Sequence, residues 1–389
     1  MDRMATAIEW SGAESAQLLS GHRGTGKTTE LQRLRRMLED RGHIAVHIDM
    51  EDHLHLSSPV DVASFLLAAT AAIEDALRKH CALPAVGGSI FERFSDWLQR
   101  TQLEVGQLSL RVPAAELKLN LKESPAFKDQ LARAVTGHLG SLTQEVRQYL
   151  GALGRELRAA RGDDIRVVVL LDSVEHIRGS VGAAAEVMGS VEQLFSAHAD
   201  KLRLPGLHMV YTVPPWLQIR APGVASGFDL LTQIPCVPVA DRDGGPDAEG
   251  VDGLRAFIAA REPEWAQVFG DAGGLDRLIA ASGGYLRDLL RLVQVALLDA
   301  RGGPLPLSAA AIDRAVAEVR RSYLPITAAD AAFLWEVHQS HRLPLEALDQ
   351  LPELARLFEN MLVLTYYDGA EWYDVHPLVR DEVRALVKA

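Results

Sequence analysis

Apolar residues recur along this chain in two periods. Short dense runs at Gln17–Ser20, His43–Asp49, Arg166–Leu171, Leu207–Val213 and Gln233–Val239 predict strands. The third, Val167-Val168-Val169-Leu170-Leu171, has the uninterrupted aliphatic character of a parallel strand buried on both faces. Between the runs the spacing lengthens to three and four. Leu31, Leu34 and Leu38 line one face of Glu30–Glu39, and Phe65, Leu66, Ala69 and Ile73 line one face of Asp61–His80. This alternation predicts an α/β fold built on a doubly wound, parallel, five-stranded sheet, with any ligand at the carboxyl ends of the strands.

A long excursion separates the second and third strands. Leu108, Leu110 and Val112, then Leu117, Leu119 and Leu121, alternate with polar residues as a small hairpin would. Phe127, Leu131, Val135, Leu139, Leu142, Val146, Tyr149, Leu153 and Leu157 then form one helical stripe, roughly 45 Å long at 1.5 Å per residue if unbroken. Gly137, Gly140, Gly151 and Gly154 predict bends in it. Two readings stay open: a helix packed on the protein's own sheet, and an arm that docks another subunit or partner.

The polar run Asp241–Asp247 marks a boundary. Helices are expected beyond it at Gly250–Arg261, Leu275–Ala281 and Tyr285–Ala300, forming a small lid. After a second breaker, Arg301-Gly302-Gly303-Pro304, the pattern reads helix, helix, helix, hairpin, helix. The hairpin pairs Met361–Tyr367 with Glu371–Val375 across Asp368-Gly369, a winged-helix pattern. The expected domains are therefore residues 1–240 with an insertion at about 87–161, a lid at 241–303, and a winged-helix-like domain at 304–389.

With 389 residues and 48% hydrophobic content the chain can bury a full core. It contains no run of about 18 apolar residues and begins without a basic, apolar leader, so a cytoplasmic protein without a membrane span is expected. Cys81 and Cys236 fit no disulfide or zinc framework, and His43, His47, His53 and His55 are expected at the surface. A net charge of −12 disfavours a broad nucleic-acid face, because phosphate neutralisation dominates such binding. The helix before the wing, Asp349–Asn360, sets Asp349, Glu353 and Glu359 against Arg356 alone, which favours protein or intramolecular contact over DNA reading.

The chemistry concentrates where the first strand ends. Gly21-His22-Arg23-Gly24-Thr25-Gly26-Lys27-Thr28 is a complete Walker A loop, followed by Thr29. Its glycines let successive N–H groups face the phosphates of ATP or ADP, with the next helix presenting its positive end. Lys27 would neutralise β- and γ-oxygens, and Thr28 would give its hydroxyl to Mg²⁺. Asp172, ending the Val167–Leu171 run, is a Walker B carboxylate for the metal. Ser173 follows, so the nearest acid is Glu175, which is either the catalytic base or a first-turn helix glutamate. Arg287, in the first turn of the last lid helix, is either a γ-phosphate sensor or a solvated arginine. The absence of an Asn-Lys-x-Asp element favours ATP over GTP.

Taken together, these motifs resemble the AAA+ ATPases, particularly the branch shared by initiator-like ATPases and the signal-transduction ATPases with numerous domains, known as STAND. The resemblance covers the chain apart from the insertion. It implies a strand inserted between those of the two Walker motifs, with Thr212 as a sensor of phosphate or attacking water; otherwise that hydroxyl satisfies a strand end. It also implies that His376, in Val375-His376-Pro377-Leu378, reaches the β-phosphate of ADP as a latch; the residues alone equally fit a histidine at a helix start. The chain departs from the pattern at Gly284-Tyr285-Leu286, where a Gly-x-Pro is usual, and at Pro214-Pro215, which replaces an arginine. Arg203 and Arg220 are weak candidates for an arginine finger.

The expected function is an ATP-binding, slowly hydrolysing switch that couples nucleotide state to a protein partner or effector in trans, with a role in bacterial defence or stress signalling suggested by the resemblance. A homo-oligomer is also admitted. The alternatives are an initiator- or loader-like ATPase on DNA and a non-hydrolysing nucleotide scaffold.

Overall fold

Five strands build the main sheet of the computed structural model: β1 (Ser15–Gly21), β2 (Ile44–Asp49), β3 (Val167–Asp172), β4 (His208–Val213) and β5 (Leu230–Ile234), in the order β2-β3-β4-β1-β5. The structure describes residues 1–54, 58–81, 88–101, 114–162, 164–177, 184–270, 273–299, 301–345 and 350–388. The pairs β1–β4, β2–β3 and β3–β4 are all parallel, so β4 lies between the strands of the two Walker motifs. Every residue of β1, β3 and β4 is buried, which explains their aliphatic runs.

The chain divides into two compact units, one of Met1–Ser20 and Lys27–Gln233, the other of Gly21–Gly26 and Ile234–Ala389. Around the sheet the first unit arranges α1 (Asp2–Trp10), α2 (Lys27–Asp40), α3 (Val62–Cys81), α4 (Ile90–Thr101), α5 (Ala114–Glu123), α6 (Pro125–Val135), α7 (Leu139–Arg161), α8 (Ala184–Phe195) and α9 (Trp216–Arg220). Leu31, Leu34 and Leu38 of α2 are fully buried and pack toward β2 and β3, each contributing roughly 1.5–3 kcal/mol relative to an exposed side chain.

The stripe from Phe127 to Leu157 divides at the 3₁₀ turn Thr136–His138, where Gly137 interrupts it. Ser124 caps α6 by accepting from Phe127 N–H, with Pro125 at its first turn. Leu131, Val135, Leu142, Val146 and Leu157 are buried, and α6 and α7 pack on α3 of the same unit. The hairpin expected around residues 108–121 is corrected in its second half: Leu117, Leu119 and Leu121 lie in helix α5. Leu117 and Leu121 are four apart and buried while Leu119 is 53% exposed, so the alternation concealed an i,i+4 face. Leu108, Leu110 and Val112 lie outside the described residues.

The fifth strand is also corrected, from Gln233–Val239 to Leu230–Ile234. Pro235 and Pro238 supply no N–H, so the ladder cannot run through them. The N–H of Cys236 instead donates to Thr365 O at 2.8 Å, and that of Val237 to Gly284 O at 3.3 Å.

The second unit contains α10 (Ala248–Ala259), α11 (Trp265–Phe269), α12 (Gly273–Ser282), α13 (Leu286–Asp299), α14 (Ala309–Arg320), α15 (Ala328–Ser340), α16 (Leu351–Glu359), strands β6 (Val363–Tyr367) and β7 (Glu371–Val375), and α17 (Pro377–Lys388). Its core joins Leu254, Leu275, Leu278, Leu289, Leu292, Ile312 and Leu378. The antiparallel hairpin pairs Val363 with Val375 and Tyr367 with Glu371, as the Asp368-Gly369 turn predicts. Among the described residues no helix is long and apolar enough to cross a membrane.

Candidate functional site

Asp172 ends β3 opposite Asp49 of β2 and is 2% exposed. Its Oδ1 accepts Ser173 N–H at 2.9 Å, and its Oδ2 lies 3.1 Å from His47 Nε2. Burial alone would push this carboxyl up, but hydrogen bonds from His47, Thr28 and the Ser173 N–H outweigh burial and hold it below the ordinary value. Thr28, the second residue assigned to Mg²⁺, is among the groups that favour the ionised form of Asp172. A hydroxyl and an ionised carboxylate are hard oxygen donors, the set that suits Mg²⁺ completed by water and phosphate.

Lys27 is the first residue of α2, and its Nζ lies 3.0 Å from Glu175 Oε1. Both side chains are about 95% or more buried, at 3% and 5% exposure. Glu175 Oε2 is buried without a hydrogen-bond partner among the described residues. The turn that delivers Glu175 is tight: Ser173 sits in the left-handed region at φ 64°, ψ 9°, and a 3₁₀ turn, Val174–His176, follows. Thr212, fully buried, receives Val174 N–H at 3.2 Å and donates to Leu171 O at 3.4 Å. Its hydroxyl therefore holds the exit of β3 in the geometry that brings Glu175 to Lys27.

His47 corrects the expectation of surface histidines. Its side chain is 15% exposed and it contacts Asp172, while that of His43 is 13% exposed and lies 3.5 Å from Glu9; His55 is outside the described residues. His176 and Glu51 were also missed by sequence reasoning. His176 Nδ1 is hydrogen bonded to Glu51 Oε1, and its Nε2 lies 3.7 Å from Glu175 Oε1. Arg203 pairs with Asp229 and Arg220 with Glu192, each at 2.9 Å, so both candidate fingers are engaged within their own unit. Thr29 is exposed on the first turn of α2.

In the second unit, the segment Gly21–Gly26 keeps Gly24 at φ +89° and Gly26 at +98°, conformations that glycine adopts without strain. A Cβ on Gly24 would meet Arg287 Nε at 2.7 Å and Arg287 Cβ at 2.9 Å, so the arginine lies directly across the loop. Thr25 Oγ1 donates to His22 O at 2.8 Å, closing the curl. Tyr285 OH donates to Arg23 O. The His22 ring is fully buried and stacks on Phe358 of α16 at 5.7 Å and 9°, with its Nε2 at 3.4 Å from Thr365 Oγ1 on β6. Cradle, arginine and C-terminal hairpin therefore belong to one packed unit.

His376 is fully buried just ahead of α17. Its Nδ1 accepts Leu378 N–H at 3.2 Å, which assigns the proton to Nε2, and Nε2 lies 3.3 Å from Asp288 Oδ2. Tyr323 OH donates to the same oxygen at 2.6 Å. Burial opposes the charge on Asp288, yet His376, Tyr323 and Arg291 together lower its carboxyl. In this structure the histidine assigned as a latch is held by the residue following Arg287.

A scan against protein-family models and a search of curated proteins find no match. Among solved structures the chain is similar to the ORC2 protein of Aeropyrum pernix in ADPNP-ADP complexes, with TM-score 0.43 and 11% identity over 100% of this chain and 92% of that one. It is also similar to Cdc6p from Pyrobaculum aerophilum (TM-score 0.36, 13% identity, 96% and 87% covered). The Thermotoga maritima RuvB Holliday junction branch migration motor aligns with TM-score 0.37 and 10% identity, covering 98% and 93%.

Proposed function

We propose that this chain binds ATP with Mg²⁺ and works as a nucleotide-operated switch with slow turnover, its state communicated to a protein partner. The observation that carries this reading lies within the first unit: a buried Lys27 at the start of α2, set 3.0 Å from Glu175 in the turn that follows the buried carboxylate Asp172 at the carboxyl end of parallel strand β3. Slow turnover is supported by the exit of β3: Ser173 directly follows Asp172, and the nearest acid, Glu175, stands three residues on in a 3₁₀ turn.

Coupling is supported inside the second unit. The loop that would wrap the phosphates touches Tyr285 and Arg287 of the lid-like region, Phe358 of α16 and Thr365 of the hairpin. A change in that loop therefore has a direct packed route to the winged-helix-like elements. The hairpin tip is itself tied down: Arg242 clamps Asp368 at 3.0 and 2.6 Å and lies over the Trp372 ring. Arg356, the cation of α16, is bound by Asp330 and Glu353. These contacts disfavour a DNA-reading wing and favour its use within the molecule and toward protein.

The test is equilibrium binding of Mg·ATP and ADP to the full chain and to Lys27→Ala, followed by turnover across a wide protein concentration range. Binding lost in the variant is expected; equal affinity in both proteins sinks the reading. Turnover that rises with concentration points to a site completed by a neighbouring copy. Salt-sensitive binding of duplex DNA would instead support the initiator-like alternative.

A further inference from the structure

We infer that His176 is a positioning residue that receives Glu175 when a triphosphate claims Lys27, so that Glu51, His176 and Glu175 form a carboxylate–imidazole–carboxylate relay at the mouth of the site. The inference rests on the nucleotide reading of Lys27. It concerns the fate of the glutamate that the phosphate displaces.

Lys27 cannot neutralise a carboxylate at 3.0 Å and a phosphate at once without leaving one of them short of charge. Glu175 is 5% exposed, and a buried carboxylate stripped of its cation is strongly disfavoured. Among the described residues, the basic side chains that form ion-pair contacts within 4.0 Å of Glu175 are Lys27 and, when its ring is protonated, His176 at 3.7 Å. A rotation of the carboxylate that closes this gap to hydrogen-bond length suffices for the exchange.

The fold prepares the acceptor. Glu51 belongs to the 3₁₀ turn Met50–Asp52 after β2, and His176 to the turn Val174–His176 after the adjacent parallel strand β3. Register between the two strands therefore sets the two turns side by side. Glu51 binds Nδ1, which fixes the ring and leaves Nε2 as the edge facing Glu175. A protonated ring then offers Nε2–H to the displaced carboxylate. Thr212 and the left-handed Ser173 hold the same turn from behind.

A double-mutant cycle on the full chain tests this without depending on turnover. Affinity for the β,γ-imido analogue of ATP with Mg²⁺ is measured for the wild type, His176→Ala, Glu175→Gln and the double variant. His176→Ala is expected to weaken binding about tenfold, or about 1.4 kcal/mol, because Glu175 then has no alternative to Lys27. In the Glu175→Gln background the same change is expected to cost less than about twofold. His176→Lys, which keeps a cation at the position, is expected to bind like the wild type and to show that the alanine variant fails through charge and not through folding. An equal loss in both backgrounds, no loss on His176→Ala, or no rescue by lysine overturns the relay. If the wild type itself fails to bind the analogue, the nucleotide reading fails first and the relay with it.

Discussion

Removing Lys27 has a consequence beyond lost nucleotide affinity. In the nucleotide-free protein Lys27→Ala strands Glu175, a carboxylate at 5% exposure whose Oε2 already lacks a hydrogen-bond partner. Breaking one side of a buried ion pair costs about 3–5 kcal/mol. The lower end, about 3 kcal/mol, is the expected loss where a protonated His176, whose Nε2 lies 3.7 Å away, takes up part of the compensation. Urea denaturation at pH 7.5, followed by circular dichroism without nucleotide, reads this directly. With a slope of about 2 kcal/mol/M the midpoint falls by roughly 1.5 M. Replacing both partners, Lys27→Met with Glu175→Gln, removes the stranded charge and is expected to recover most of that loss. A Lys27→Ala protein as stable as the wild type would refute the reasoning, since it would mean that Glu175 is hydrated or neutral in the free site.

The remaining expectations follow from other buried groups. Burial, then Arg166, His43 and Arg158, push the His208 imidazole down to about 4. The unfolded chain, titrating near 6.5, binds more protons below that pH. His208's contribution is thus complete above about 6.5 and shrinks as pH falls toward 4, by about 3 kcal/mol in all; an acid loss of stability undiminished in His208→Gln contradicts this. His376→Ala removes the buried imidazole that lies 3.3 Å from Asp288, leaves Tyr323 OH donating to that carboxylate, and should lower the stability of the second unit by about 2 kcal/mol. The latch role suggested by the resemblance instead predicts a selective loss of ADP affinity at unchanged melting temperature. Gly24→Ala forces a side chain into a left-handed position and onto Arg287. Its strain of about 1–2 kcal/mol should weaken Mg·ATP binding about tenfold, and an unchanged affinity argues that the loop does not form the cradle.

Several features were legible because their causes are local. The spacing of Gly21, Gly24, Gly26 and Lys27 is a short-range demand of a loop that must curl and then start a helix, and β1 and α2 meet at that point. The all-aliphatic β3 announced its burial, and Asp368-Gly369 announced the β6–β7 hairpin. The place of β4 between β1 and β3 agrees with the inserted strand expected there. Local pattern misled where two periods overlap, as in α5, where two buried leucines four apart also fit a strand's alternation. Hydropathy likewise carried the fifth strand through Pro235 and Pro238, although both lack the donor that a ladder needs.

The sequence by itself determined which segments become strands and helices near the site and which residue types stand at the loop, because periodicity, turn chemistry and glycine conformation act over a few residues. Only the tertiary structure decided what those residues touch. His47 meets Asp172 across 125 positions, and Glu51 meets His176 across the same separation, through the register of two adjacent parallel strands. Lys27 meets Glu175 through the turn that Thr212 and Ser173 hold, and His22 meets Phe358 through packing within the second unit. Parallel strands are joined by long crossovers, so their partners carry no short-range signature; register and packing, settled over the whole sheet, choose them.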